Sequence, residues 1–144
     1  MTKIIKIEAA TEKAFSDIKN LLLELYPENK PLDYGTFKRV VSNKCLCVLV
    51  AYDKDKIIGM ASIVIYDKLG GKVGIIEDVV VSSKFRGKGI GKNLTMGLIE
   101  EAKKSGCHFA DVNTRRADAK EFYLKLGFSE KNKERPFFAL RYAF

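Results

Sequence analysis

Six consecutive residues, Arg86-Gly-Lys-Gly-Ile-Gly91, combine the two properties that a polyanion site requires. Gly87, Gly89 and Gly91 remove side chains where several backbone N–H groups can converge on one ligand, and Arg86, Lys88 and Lys92 set positive charge beside them. The apolar-periodic run that begins at Ile90 reads as a helix. Its first N–H groups lack intrahelical partners and sit at the positive end of the helix dipole. A pyrophosphate suits such a turn. Tight strand-to-helix turns also accept glycine for purely structural reasons, so the glycines alone do not name the ligand.

Two familiar phosphate loops do not fit. A Walker loop ends in Gly-Lys-Ser/Thr, whereas Gly91 and Lys92 are followed by Asn93. A dinucleotide fingerprint needs GxGxxG at the start of its fold; the spacing here is GxGxG, and it lies in the second half of the chain.

The elements that must position this turn follow from the hydrophobic periodicity. Residues 3–8 are short and β-prone. Thr11 can cap a helix with Phe15, Ile18, Leu22 and Leu25 on one stripe, which Pro27 and Pro31 then break. Asp33 can cap a second short helix with Phe37, Val40 and Val41 inward. Residues 45–52, 57–66 and 73–81 read as strands joined by short turns, hence an antiparallel meander. The helix over 89–104 carries Ile90, Leu94, Leu98 and Ala102 inward, and Gly106 suits its end. Residues 109–114 form the next strand, so strand, helix and strand make a right-handed βαβ unit with a parallel pair. Asp118 can cap a last helix bearing Ala119, Phe122, Tyr123 and Leu126, closed by Gly127, and residues 137–144 (FFALRYAF) read as a final strand. The expectation is one mixed α/β domain over residues 1–144.

The formal charge of +8 fits nucleic acid, an acidic membrane or a phosphorylated small molecule. The lysines are scattered, no nucleic-acid motif accompanies them, and no apolar run approaches the roughly 18 residues of a membrane span, so neither nucleic acid nor membrane is expected as a partner. The opening residues do not resemble a signal peptide, which makes the cytoplasm the expected compartment. Alternation puts Cys45 and Cys47 on one strand face, as small buried hydrophobes; with Cys107 they are expected to stay reduced. A single histidine, His108, gives no basis for a zinc site, and no metal is expected.

Arg86, Gly89 and Gly91 match the pattern Q/R-x-x-G-x-G/A, and residues 119–128 (AKEFYLKLGF) match A-x-x-F-Y-x-K-x-G-F. With these two motifs in order, the chain resembles the GNAT N-acetyltransferase superfamily. The resemblance implies a central mixed sheet with antiparallel N-terminal strands, a parallel pair splayed at the cofactor site and helices on both faces. It also implies acetyl-coenzyme A as cofactor, with its pyrophosphate on the amides of Gly87, Lys88, Gly89, Ile90 and Gly91 and its pantetheine along the edge of Val79, Val80 and Val81. A backbone N–H near Val79 or Val80 then polarises the thioester carbonyl. Direct transfer to an amine needs a proton acceptor and a proton donor. Glu77, two residues before Val79 and on the same face of the strand, is the candidate base or holder of a base water; Tyr123 matches the family's general acid. Asp78 is expected on the opposite face, as a structural residue.

Many members carry Asn where this chain has Arg116. The string Asn113-x-x-Arg116-x-Asp118-Ala119-x-x-Phe122-Tyr123-Leu124 resembles a variant found in aminoalkylphosphonate acetyltransferases, and IEDVVV (76–81) resembles the strand of glucosamine-6-phosphate acetyltransferases. Both imply an anionic small amine as acceptor, with Asn113 on the cofactor side and Arg115 and Arg116 as candidate substrate contacts; a solvated helix start or a contact to coenzyme A phosphate accounts for the two arginines equally. A lysine or N-terminal amine of a protein is the alternative acceptor, and a non-catalytic coenzyme A-binding regulatory module the alternative function. Members often dimerise, which leaves a homodimer through the aromatic tail open.

Overall fold

A computed structural model describes residues 2–131, 133–134 and 136–144. Two compact units are present, Met1–Asn113 and Thr114–Phe144. The first contains strand β1 (Lys3–Lys6), helices α1 (Glu12–Leu25) and α2 (Tyr34–Ser42), strands β2 (Leu46–Asp53), β3 (Lys56–Lys68) and β4 (Gly71–Val81), helix α3 (Ile90–Lys104) and strand β5 (Ala110–Val112). The second contains helix α4 (Ala117–Lys125).

The five strands lie in sequence order in one sheet. β1 to β4 are antiparallel neighbours, and β5 joins parallel to β4 across the α3 crossover. The expected meander and βαβ unit are therefore both present. β2 and β3 supply the centre of the core, with Val50, Ala51, Ala61 and Ile63 fully buried.

Alternation along the strands divides the apolar residues between two faces. On one face Val48, Val50, Met60 and Val80 pack with Ala14, Ile18 and Leu21 of α1 and Phe37 of α2. The buried line of α1 thus runs through Ala14, Ile18 and Leu21, and the expected Phe15, Leu22 and Leu25 form its half-buried flank. Thr11 and Asp33 cap these helices as their sequence suggests, accepting from Ala14 N–H at 3.2 Å and Thr36 N–H at 2.9 Å. On the other face α3 buries Ile90, Leu94, Leu98 and Ala102, the four residues its periodicity picks out. Gly59 lets α3 close onto β3, since a Cβ there would lie 3.3 Å from both Ile90 Cγ2 and Leu94 Cδ1.

Several local expectations need correction. Cys45 precedes β2 in a turn and is exposed, so it does not share a strand face with the buried Cys47. Its amide is taken by the Asn43 side chain at 2.9 Å, which turns the chain before the ladder begins. Asp118 does not cap α4; Arg116 occupies the cap position and Asp118 lies in the first turn. Residues 137–144 form no strand, and Phe138, Leu140, Tyr142 and Phe144 are exposed. A β-prone composition alone does not make a strand, because strand preference is largely a matter of packing and pairing context.

Candidate active site

The glycine-rich turn is built from the end of β4 to the start of α3. Ser83–Phe85 form one 3-10 turn, and Gly87 and Gly89 follow with φ of 77° each. An L side chain disfavours that conformation, which accounts for glycine at both positions. Space is open where a Cβ would stand at either residue, so the turn presents backbone rather than side chains. Gly89 is the N-cap of α3, and the first helical hydrogen bond runs from Asn93 N–H to Gly89 C=O at 3.0 Å. The N–H groups of the intervening first turn point out of the helix end, where the dipole is equivalent to about half a positive charge. Lys88 lies over the Phe85 ring at 5.2 Å, and Lys92 is exposed on the first turn. An open, amide-lined turn with exposed lysines fits a diphosphate.

Arg86 does something different from its neighbours. Its Nε donates to Val81 C=O at 2.9 Å, and its terminal nitrogen lies 3.4 Å from Glu24 Oε2 on α1. The same carboxylate oxygen accepts from Ser83 N–H at 3.0 Å. The guanidinium is thus folded back on the strand end, where it braces the turn.

β4 supplies the second component. Its pairing with β5 covers only Gly74 to Ile76, so among the described residues no strand pairs with the edge of Val79, Val80 and Val81 on that side. An extended amide-bearing arm can add to such an edge. The same stretch contains a bulge. Glu77 pairs with Ser62 and Val80 with Met60, so two residues, Asp78 and Val79, stand against Ala61 alone. Asp78 takes the extra turn with φ of 52°.

The bulge alters the faces that simple alternation implies. Ser62 and Met60 are two apart on β3 and share a face, so Glu77 shares its face with Val80 instead of Val79. Asp78 is not turned away either. Tyr26, at the C-cap of α1, donates its hydroxyl to Asp78 Oδ1 at 2.7 Å, which brings that carboxylate to the α1 side of the sheet with Glu77. Partial burial raises the pKa of the exposed Glu77 carboxyl above the ordinary glutamate value, and the adjacent Asp78 charge raises it further. Glu77 is therefore a stronger proton acceptor than a free glutamate.

A groove of about 210 Å³ opens beside the bulge, lined by Lys19, Leu22, Leu23 and Tyr26 of α1 and its cap, Lys30 of the following connection, and Asp78. Sequence periodicity did not single out Lys19, Glu24, Tyr26, Lys30 or the orientation of Asp78. The available signal was the acidic pair Glu77–Asp78 inside an otherwise apolar strand, an unusual composition for a buried ladder.

In the second unit Tyr123 is buried and packs edge-to-face on Phe122 and Phe128, with ring centroids 5.0 and 5.3 Å apart. Arg116 is clamped onto Asp118 through Nε at 3.1 Å and through a shorter second contact, and its N–H donates to Thr114 Oγ1. Arg115 is exposed, as is Asn113 at the end of the first unit.

The model of the GNAT acetyltransferase family matches residues 12–128. The glucosamine 6-phosphate N-acetyltransferase of Arabidopsis thaliana is 38% identical over 90 residues, which are 60% of this chain and 60% of that protein's length. The aminoalkylphosphonate N-acetyltransferase of Salmonella typhimurium is 27% identical over 137 residues, 90% of this chain and 88% of that one. Among solved structures, that of glucosamine-6-phosphate N-acetyltransferase from Arabidopsis thaliana superposes with a TM-score of 0.78 at 28% identity, covering 96% of this chain and 98% of the other.

Proposed function

Because the chain belongs to the GNAT acetyltransferase family, we propose that it transfers an acetyl group from acetyl-coenzyme A directly to the primary amine of a small molecule. The observation that carries this reading is the juxtaposition, within one strand-to-helix unit, of the open glycine turn at the α3 N-terminus and the β4 edge beyond Ile76, which no strand among the described residues covers on the β5 side. The family match runs through both compact units, which supports reading residues 1–144 as one acetyltransferase domain.

Each residue then has a stated task. The amides of Gly87, Lys88, Gly89, Ile90 and Gly91, with Lys88 and Lys92, hold the cofactor's pyrophosphate. Arg86 keeps the turn in place through Val81 and Glu24. Acetyl-coenzyme A supplies an acetyl thioester, an acyl group activated towards amines. The Val79–Val81 edge orients the pantetheine amides, and an N–H at Val79 or Val80 polarises the thioester carbonyl. Glu77 takes the proton from the amine, directly or through a water, and its raised pKa suits that work at neutral pH. Tyr123 gives a proton to the departing thiolate; a phenol keeps its proton at neutral pH. Asn113 lies on the cofactor side. The names of the relatives, which act on glucosamine 6-phosphate and aminoalkylphosphonates, support an acceptor that carries an anionic group. With Arg116 clamped onto Asp118, its charge is already partnered, and Arg115 is the freer of the two arginines to meet a phosphate, that of coenzyme A included.

The test is to mix purified protein with acetyl-coenzyme A and a panel of amines that includes peptides, following free thiol and N-acetyl product together. Stoichiometric thiol and acetyl-amine are expected with small amines. Tight coenzyme A binding without turnover across the panel would favour a regulatory module instead, and peptide-only turnover would favour a protein acetyltransferase.

A further inference from the structure

We propose that the groove beside Asp78 is the acceptor site and that its ligand is a small zwitterion, with its ammonium group at Asp78 and a phosphate or phosphonate at Lys19 and Lys30. This rests on the acetyltransferase reading above and adds the site and the charges that select the acceptor.

Asp78 belongs at once to the groove lining and to the β4 bulge, and it is the neighbour in sequence of both Glu77 and Val79. An amine held at Asp78 is therefore delivered to the point where the strand offers its base and its carbonyl-polarising amide. Tyr26 occupies Oδ1 of Asp78 and leaves the second oxygen available to accept from an ammonium group.

Charges follow a fixed order along the groove. Lys19 and Tyr26 are seven residues apart, on one stripe of α1 with Leu22 and Leu23 between them. Two helical turns separate their Cα atoms by about 10 Å. The groove thus reads cation, apolar wall, hydroxyl, carboxylate, with Lys30 added from the connection after α1. Neither Lys19 nor Lys30 forms an ion pair among the described residues. Two such lysines in a concave wall complement a doubly charged anion, whereas a polyamine would meet like charge at that end.

A volume of about 210 Å³ is below the roughly 300–1,000 Å³ of pockets that enclose drug-sized ligands, so the acceptor is a compact metabolite.

The experiment uses matched acceptors: glucosamine 6-phosphate against glucosamine, and 2-aminoethylphosphonate against ethylamine. The full-length protein and its Lys19→Gln/Lys30→Gln double variant are compared by kcat/KM, with far-UV circular dichroism confirming that both are folded. The wild type should prefer the anionic member of at least one pair, and the double variant should reduce that preference about ten- to hundred-fold, chiefly through KM. Equal rates for both members in the wild type, or an undiminished preference in the double variant, overturns the groove assignment and leaves the acetyltransferase reading standing. If no amine is acetylated, calorimetric titration of the wild type with glucosamine 6-phosphate and with 2-aminoethylphosphonate decides separately. Binding of either that weakens in the double variant supports the site while the catalytic reading falls; binding of neither, or binding that the double variant leaves unchanged, overturns the site as well.

Discussion

The amide of Ser83 donates to the Glu24 carboxylate at 3.0 Å, a bond that fastens helix α1 to the glycine-rich turn 59 residues away in sequence. Arg86 strengthens the link by reaching the same oxygen while holding Val81. Glu24 is thus a positioning residue. It contacts no ligand in the proposed reaction, yet it sets where the amides of the turn stand.

Glu24→Gln keeps the shape and removes the charge. A hydrogen bond to a charged group is worth about 1.5–3 kcal/mol, but partial exposure screens this one, and a loss of about 1 kcal/mol is expected. It should appear as a roughly five-fold rise in KM for acetyl-coenzyme A with kcat little altered. Steady-state kinetics and calorimetric titration with coenzyme A check this, and a fall confined to kcat would contradict the positioning role.

The Glu77–Asp78 pair predicts a pH signature. Burial and then the Asp78 charge raise the Glu77 pKa, so the carboxylate form needed as a base is lost as pH falls through a value above that of an ordinary glutamate. Asp78→Asn removes the like charge and should move the acid limb of the kcat profile to lower pH, even as the amplitude drops. Glu77→Gln should lower the rate most on the acid side of the amine's own pKa, where the substrate arrives as ammonium. A Glu77→Gln profile parallel to wild type at every pH argues against proton transfer by this carboxylate.

Tyr123→Phe removes one hydroxyl and keeps the ring that packs on Phe122 and Phe128. General acid catalysis contributes about 10²–10⁴-fold, so kcat should fall by at least one to two orders of magnitude with coenzyme A affinity near wild type. Unchanged turnover, measured by thiol release, sinks the assignment.

Gly89→Ala tests the turn itself. With φ at 77°, an alanine incurs about 1–2 kcal/mol of backbone strain or shifts the helix start. Either outcome should weaken coenzyme A binding about five- to thirty-fold and lower Tm by several degrees, as read by titration and thermal melting. Open space around the new methyl means that no packing clash contributes.

The sequence carried the sheet order and the shape of the glycine turn because both depend on local signals. The stripe Ile90, Leu94, Leu98, Ala102 needs only a period of 3.6, and the turn glycines need only their left-handed backbone. What stayed hidden depends on distant partners. Whether Glu77 aligns with Val79 or Val80 is decided by how β4 pairs with Met60 and Ser62, and three valines in a row read the same in either register. Lys19 and Tyr26 look like the solvated side of an amphipathic helix until the bulge brings Asp78 beneath them. The tail at 137–144 shows the converse, a strong strand-like pattern with no ladder over the described residues.

The bulge also tells where the memory of that alignment is stored. Most strands are kept from slipping by contrast between an oily and a wet side, but Val79–Val81 offers little contrast to either. The information lies in a polar latch, the left-handed Asp78 and the Tyr26 hydroxyl that grips it. Tyr26→Phe should therefore act less like the loss of one surface hydrogen bond than like a loosened frame marker, allowing β4 to slide one residue past β3 and carrying the proposed base, Glu77, and the proposed carbonyl-polarising amide out of step together.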